Sequence, residues 1–154
     1  MKIVTISYEN WEKYRRPILN FVKRYDKSAS QYVYKKLFKM KKHHLHEPGT
    51  CIKLTFWEGK IIAFAAVINY GTTFSSVLLS PRFKNTHLKT TLFASLIDEL
   101  GVCYQKISYN DKETIKMALQ AHLVCFSYTK TQDDQIYLWF GGGHWHSDDI
   151  TQEA

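Results

Sequence analysis

Between Leu79 and Phe93 the chain reads LSPRFKNTHLKTTLF. An apolar run stops at Pro81, a short basic stretch follows, and apolar residues then recur at three- and four-residue spacing from Leu88. A strand that runs through a loop onto a helix start is a frame for holding a phosphate. The first N–H groups of a helix have no partner inside it and carry partial positive charge. Glycines normally let such a backbone approach its ligand closely, and this stretch has none. Lys84 and Lys89, with Arg82 beside them, offer charge in their place. His87 suits phosphate contact and solvent equally. The expectation is a phosphate-binding loop of altered geometry between Pro81 and the helix start.

Candidates for proton transfer are few. Tyr70 closes a central apolar run, where its hydroxyl could hold a water. His122 falls at apolar spacing after Asn110. Its side chain has the useful pKa, although a lone histidine there is more often part of a core. Glu58 sits in a turn and reads as solvated. His43, His44 and His46 in KKHHLHEP, and His144 and His146 around Trp145, have spacings that can bind zinc or nickel. Neither group has an acidic or cysteine partner at a usual spacing, so surface histidines are expected and no metal. Cys51, Cys103 and Cys125 lie in apolar runs. An odd count without paired spacing predicts buried thiols in a reducing compartment, hence the cytoplasm.

The elements that must position these groups follow from periodicity. Ile3–Ser7 alternates as a strand. Asn10 can cap a first helix, with Pro17 delaying its regular part until about Pro17. Ser28 or Ser30 opens a second helix reaching about Leu45, closed by Glu47-Pro48-Gly49. CIKLTFW, IIAFAAVINY and FSSVLLS then form a three-stranded antiparallel meander, turning at Glu58-Gly59 and Gly71-Thr72-Thr73. Leu88 to Leu100 is an amphipathic helix stopped by Gly101. Val102–Tyr109 is a strand. Asn110-Asp111-Lys112-Glu113 has the form of a capping box opening a helix with Ile115, Ala118, Leu119, His122 and Leu123 inward. Val124–Thr131 and Gln135–Phe140 make a last hairpin, and Gly141 begins a polar tail. The order β-α-α-β-β-β-α-β-α-β-β predicts an α/β (α+β) fold, a mixed and mainly antiparallel sheet flanked by about four helices. One domain is expected over residues 1–140, with a tail over 141–154.

The chain has 154 residues, 45% hydrophobic and 15% aromatic, enough for a real core. The uncharged run from Ile61 up to Arg82 is broken by Asn69, Gly71, Thr72 and Thr73, so strands are expected and not a membrane span. Met1-Lys2 leads directly into VTIS, so no signal peptide is expected. The net charge of +7 is uneven: residues 1–50 carry twelve Lys/Arg against four Asp/Glu, and the rest nine against ten. That balance suits an anionic partner, nucleic acid or a nucleotide cofactor, although lysine runs are more often solvated helix faces. Trp11, Tyr14, Tyr25, Tyr32 and Tyr34 stand among those lysines and would add stacking faces, but their spacing favours core packing.

Three features together resemble the GCN5-related N-acetyltransferase family, over nearly the whole chain. The first is the meander leading to the strand before Pro81. The second is the loop length, with Lys84-Asn85-Thr86-His87-Leu88-Lys89 at the six positions of that family's Arg/Gln-x-x-Gly-x-Gly/Ala motif and Leu92 at its helix leucine. The third is ISYND, a helix and a closing hairpin. His87 and Lys89 stand where the family has glycines. The resemblance implies binding of acetyl-CoA or another acyl-CoA, with its pyrophosphate on the loop, its thioester carbonyl on backbone N–H groups about Leu78, Leu79 and Ser80, and Asn110 nearby. It implies acyl transfer to an amine. The family's acceptor wall corresponds here to the basic stretch Lys35–Lys42, which suits an acidic acceptor or an amine attached to nucleic acid. The tyrosine that many members use to protonate the leaving thiolate is replaced in this turn by Met117, Ala118 and Leu119. Tyr70 or His122 is the expected base. Other readings are a non-catalytic binding protein of the same fold and a nucleic-acid-binding protein. The last hairpin could also pair two copies into a homodimer.

Overall fold

The structure, a computed structural model, describes residues 1–150. Strand β1 (Lys2–Thr5) leads to helices α1 (Trp11–Tyr25) and α2 (Tyr32–Lys39). Strands β2 (Cys51–Trp57), β3 (Lys60–Ile68) and β4 (Phe74–Leu79) follow, and then helix α3 (Leu88–Leu100). Strand β5 (Val102–Ser108), helix α4 (Lys112–Gln120), and strands β6 (Val124–Lys130) and β7 (Ile136–Gly143) complete the order. The predicted sequence of elements is the observed one. The strands fall into two antiparallel sheets, β1-β2-β3-β4 and β5-β7-β6. No helix among the described residues is long and apolar enough to cross a membrane.

Helix α1 runs straight through Pro17, six residues beyond its start. Pro17 cannot donate back to the Lys13 carbonyl, but both residues are exposed, where solvent can satisfy a carbonyl, and the helix continues. Asn10 does not cap it with its side chain: its Oδ1 accepts from Ser7 N–H (2.7 Å). Helix α2, by contrast, is shorter than predicted. Ser30 and Gln31 adopt left-handed φ of 57° and 54°, which delays the start to Tyr32, and residues 42–46 form a separate 3₁₀ turn. The first N–H groups of α2 are held from a distance, Val33 by Ser28 Oγ (3.4 Å) and Tyr34 by Asp26 Oδ2 (3.0 Å).

One face of the first sheet packs Ile52, Leu54, Phe64, Ala66 and Phe74 against α1 and α2. The other packs Cys51, Ala63, Ala65 and Val67 against Leu88, Leu92 and Leu96 of α3. Strand β2 is buried on both faces, so its alternating pattern hid a second interior side on which Lys53 is 6% exposed. The Lys53 ammonium donates to Thr5 Oγ1 (2.6 Å) and lies 4.0 Å from Glu99. The second sheet packs Ile107 and Phe140 against Phe93 of α3 and Met117 and Ala118 of α4. Strand β7 continues three residues beyond Phe140, and Trp145 then stacks on Phe126 (4.9 Å between centroids). Cys51 and Cys103 are buried as predicted, but Cys125 is exposed, because β6 is an edge strand and presents that face to solvent.

Candidate active site

Strands β4 and β5 belong to different sheets, and what separates them follows from hydrogen-bond parity. The N–H of Ser80 donates to Ile62 O (2.8 Å) on the β3 side. In an antiparallel ladder the bonded pairs alternate, so Ser76 and Leu78 also turn their backbone to β3. The backbone groups of Ser75, Val77 and Leu79 therefore face away from β3. On β5, Lys106 N–H donates to Ser75 Oγ (3.2 Å), so Lys106 and Ser108 face β4 by the same alternation. The turn before β4 approaches β5 at Gly71–Tyr104 and β4 itself at Ser75–Lys106, and the two strands share no ladder. Of the expected Leu78, Leu79 and Ser80, only Leu79 offers its backbone to this opening. Leu78 and Ser80 spend theirs on β3, and Val77 faces the opening with Leu79.

The loop lies at the far end of β4. Pro81–Phe83 form a 3₁₀ turn, Thr86 Oγ1 donates to Phe83 O (2.6 Å), and buried Phe83 and Leu88 pin the two ends. His87 precedes α3 with φ −86° and makes no side-chain cap. No residue from 81 to 90 has positive φ, so glycine is not conformationally required here. Among the described residues, the N–H groups of Asn85, His87, Leu88, Lys89 and Thr90 have no acceptor. Five donors at one helix start fit an anionic group such as a pyrophosphate.

The side chains divide. Lys84, Asn85 and His87 are exposed on the loop, and Lys84 has no partner among the described residues. Lys89 turns away: its ammonium donates to Thr114 Oγ1 (2.6 Å), which donates to Asp111 Oδ2 (2.7 Å). One turn on, Thr90 Oγ1 lies 3.3 Å from Met117 O. The start of α3 is thus tied to α4. Arg82 lies over the Trp57 ring, 5.0 Å from its centroid, and packs there. Asp111 caps α4 through Thr114 N–H (3.1 Å), in place of the predicted Asn110, which is exposed.

The two expected proton-transfer residues are not brought together. Tyr70 belongs to a 3₁₀ turn with φ 62°, at the opposite end of β4 from the loop, and packs its ring on Gly49. His122 lies beyond the end of α4 with φ 67° and is exposed; the apolar spacing misplaced it because the helix stops at Gln120. Met117 and Ala118 are buried against the second sheet and donate no proton. No three His, Cys, Asp or Glu side chains among the described residues are grouped to hold a metal ion.

At the β4–β5 junction lies a cavity of about 520 Å³, lined by the α1–α2 connection, the start of β4, and Lys106, Tyr137 and Trp139. Sequence reading missed it. The alternation of Tyr137 and Trp139 was visible, but Lys106 stands opposite Trp139 only once β5 and β7 are paired.

No protein-family model matches the sequence, and no curated protein matches it. Solved structures do. The ribosomal-protein-S18-alanine N-acetyltransferase of Escherichia coli is 12% identical, with a TM-score of 0.64, over 98% of this chain and 100% of that one. A spermidine N-acetyltransferase of Vibrio cholerae, as a chimera, is 12% identical with a TM-score of 0.63, over 92% and 95%. An aminoglycoside acetyltransferase in complex with coenzyme A and kanamycin is 9% identical with a TM-score of 0.60, over 93% and 95%. This chain has the fold of the GCN5-related N-acetyltransferases.

Proposed function

We propose that the protein transfers an acyl group, acetyl in the first instance, from coenzyme A to an amine. The observation that carries this is the β4–β5 opening, with five free N–H donors at one end and a cavity at the other. The thioester supplies an activated acyl group. The free N–H groups of Asn85, His87, Leu88, Lys89 and Thr90 and the Lys84 ammonium hold the pyrophosphate. The backbone N–H of Val77 or Leu79 receives the carbonyl oxygen as negative charge grows on it. The amine nitrogen, entering from the cavity, bonds to the carbonyl carbon, the C–S bond breaks, and the amine gives its proton to water. The thiolate takes a proton from water, since Met117 and Ala118 offer none. Holding the two reactants in line is worth about 7–11 kcal/mol. Lack of a general acid costs roughly 10²–10⁴ in rate and leaves a slow enzyme.

One observation favours a second reading, a binding protein of the same fold without turnover. The Lys89–Thr114 and Thr90–Met117 contacts close α3 onto α4 beside the loop. Calorimetry with acetyl-CoA, followed by thiol release in the presence of an amine panel, separates the two. Micromolar binding with thiol release supports the enzyme, and binding without release supports the binding protein. No binding at millimolar acetyl-CoA refutes the enzyme and leaves a binding protein whose partner is not coenzyme A.

A further inference from the structure

The cavity at the β4–β5 junction has its own chemistry. Tyr32, Phe74, Tyr137 and Trp139 contribute four aromatic side chains to its wall, and Lys106 is its one charged residue. No carboxylate and no histidine lines it. The Lys106 ammonium lies 5.0 Å from the Tyr137 ring centroid and 5.8 Å from that of Trp139, and it has no acidic partner among the described residues. Tyr32, 52% exposed, stands at the rim with its ring 5.8 Å from Phe74.

We infer that this cavity takes an amine carried on a planar aromatic scaffold that also bears an anionic group. The inference rests on the acyl-transfer reading above and names its acceptor. Aromatic faces attract cations, but here a cation of the protein already occupies them. A polyamine or aminoglycoside would enter with several positive charges, meet Lys106, and find no carboxylate to offset its desolvation. An anionic ligand acts in the opposite sense. It draws the Lys106 ammonium off the rings into a charge-assisted hydrogen bond, and the exposed faces then stack on the ligand's ring. A volume of about 520 Å³ suits a molecule of one or two rings. Lys106 N–H is bonded to Ser75 Oγ where the opening begins, so an amine on a ring seated there faces the acyl donor. The spermidine and kanamycin of the two solved enzymes are polycations, and the inference separates this chain from both.

The test is calorimetric binding of 4-aminobenzoate and spermidine to the whole chain, without coenzyme A, for the wild type and the Lys106→Met and Lys106→Glu variants. Lys106 is exposed, so both variants keep the fold, and their melting curves check it. The expected result is 4-aminobenzoate bound at least tenfold more tightly than spermidine, a tenfold loss or more in Lys106→Met, and a reversed preference in Lys106→Glu. Tyr137→Ala, on the same wall, should lose affinity for the aromatic ligand without gaining spermidine. Equal or tighter spermidine binding by the wild type, or 4-aminobenzoate binding indifferent to Lys106, overturns the inference. Thiol release from acetyl-CoA distinguishes the two levels: release with spermidine and not with 4-aminobenzoate refutes the acceptor class and keeps acyl transfer. Failure to bind acetyl-CoA, with the aromatic preference intact, refutes acyl transfer alone.

Discussion

Two lysines that look equivalent in the loop have different tasks. Lys84 is exposed with no partner among the described residues, whereas Lys89 is bonded to Thr114. Lys84→Glu should weaken acetyl-CoA binding roughly 10–100-fold by calorimetry, the scale of one charge-assisted hydrogen bond, and leave the melting temperature unchanged. Lys89→Met removes one of the bonds that join α3 to α4 and leaves Thr114, 7% exposed, without its donor. A loss of about 1–2 kcal/mol follows, read as a melting temperature lower by about 2–8 °C in a chain of this size. Equal effects of the two changes on binding would refute the division. The cysteines divide likewise. Burial pushes the thiol of Cys51 up to about 11 and that of Cys103 up to about 12, while Cys125 is exposed. A maleimide at neutral pH should label one thiol per native chain and three after unfolding.

The opening between β4 and β5 depends on one close approach between elements. Gly71 has φ 98°, and a Cβ there would lie 1.8 Å from the Tyr104 carbonyl oxygen. Gly71→Ala must push the β3–β4 turn away from β5 and shift the wall of the aromatic cavity. Its melting temperature should fall by more than that of Gly59→Ala, a glycine with open space around its Cα and a φ of 77°. Gly71→Ala should also bind 4-aminobenzoate less tightly. Sequence reading reached the elements because their periodicities are local: α3 with its apolar stripe and Gly101 stop, and the meander with its Glu58-Gly59 turn. It missed the site because the site is made by pairing. That Leu78 and Ser80 face β3 while Val77 and Leu79 do not depends on which partner takes the ladder, and alternation alone leaves both parities open. Helix ends were misplaced where side chains from afar do the capping, as Asp26 and Ser28 do for α2.

At the scale of the molecule, part of the basic first third is taken up by the protein's own rings. Lys13, Lys23, Arg15, Arg24 and Lys42, five of its twelve basic residues, each lie over an aromatic ring, and Trp11 is 2% exposed, while Tyr32 and Phe38 stay exposed. The chain closes at its other end, where the Tyr104 hydroxyl donates to the Asp149 carboxylate and accepts from His146 N–H (2.8 Å). Burial, with that carboxylate beside it, raises the Tyr104 phenol from 10.0 to about 12. A group whose folded pKa lies above its unfolded value favours folding while protonated. The contribution is therefore whole below pH 10 and is lost as pH rises from 10 toward 12. The thiols of Cys51 and Cys103, raised from 9.0, act in the same direction and begin to do so near pH 9. Thermal melting at increasing pH should show a flat region to about pH 9 and then a steady fall. In Tyr104→Phe the melting temperature should start lower, because Asp149 and the His146 N–H lose their partner, and the fall above pH 10 should be shallower. The same slope in both proteins would mean that the closing contact does not hold the last strand's exit onto β5.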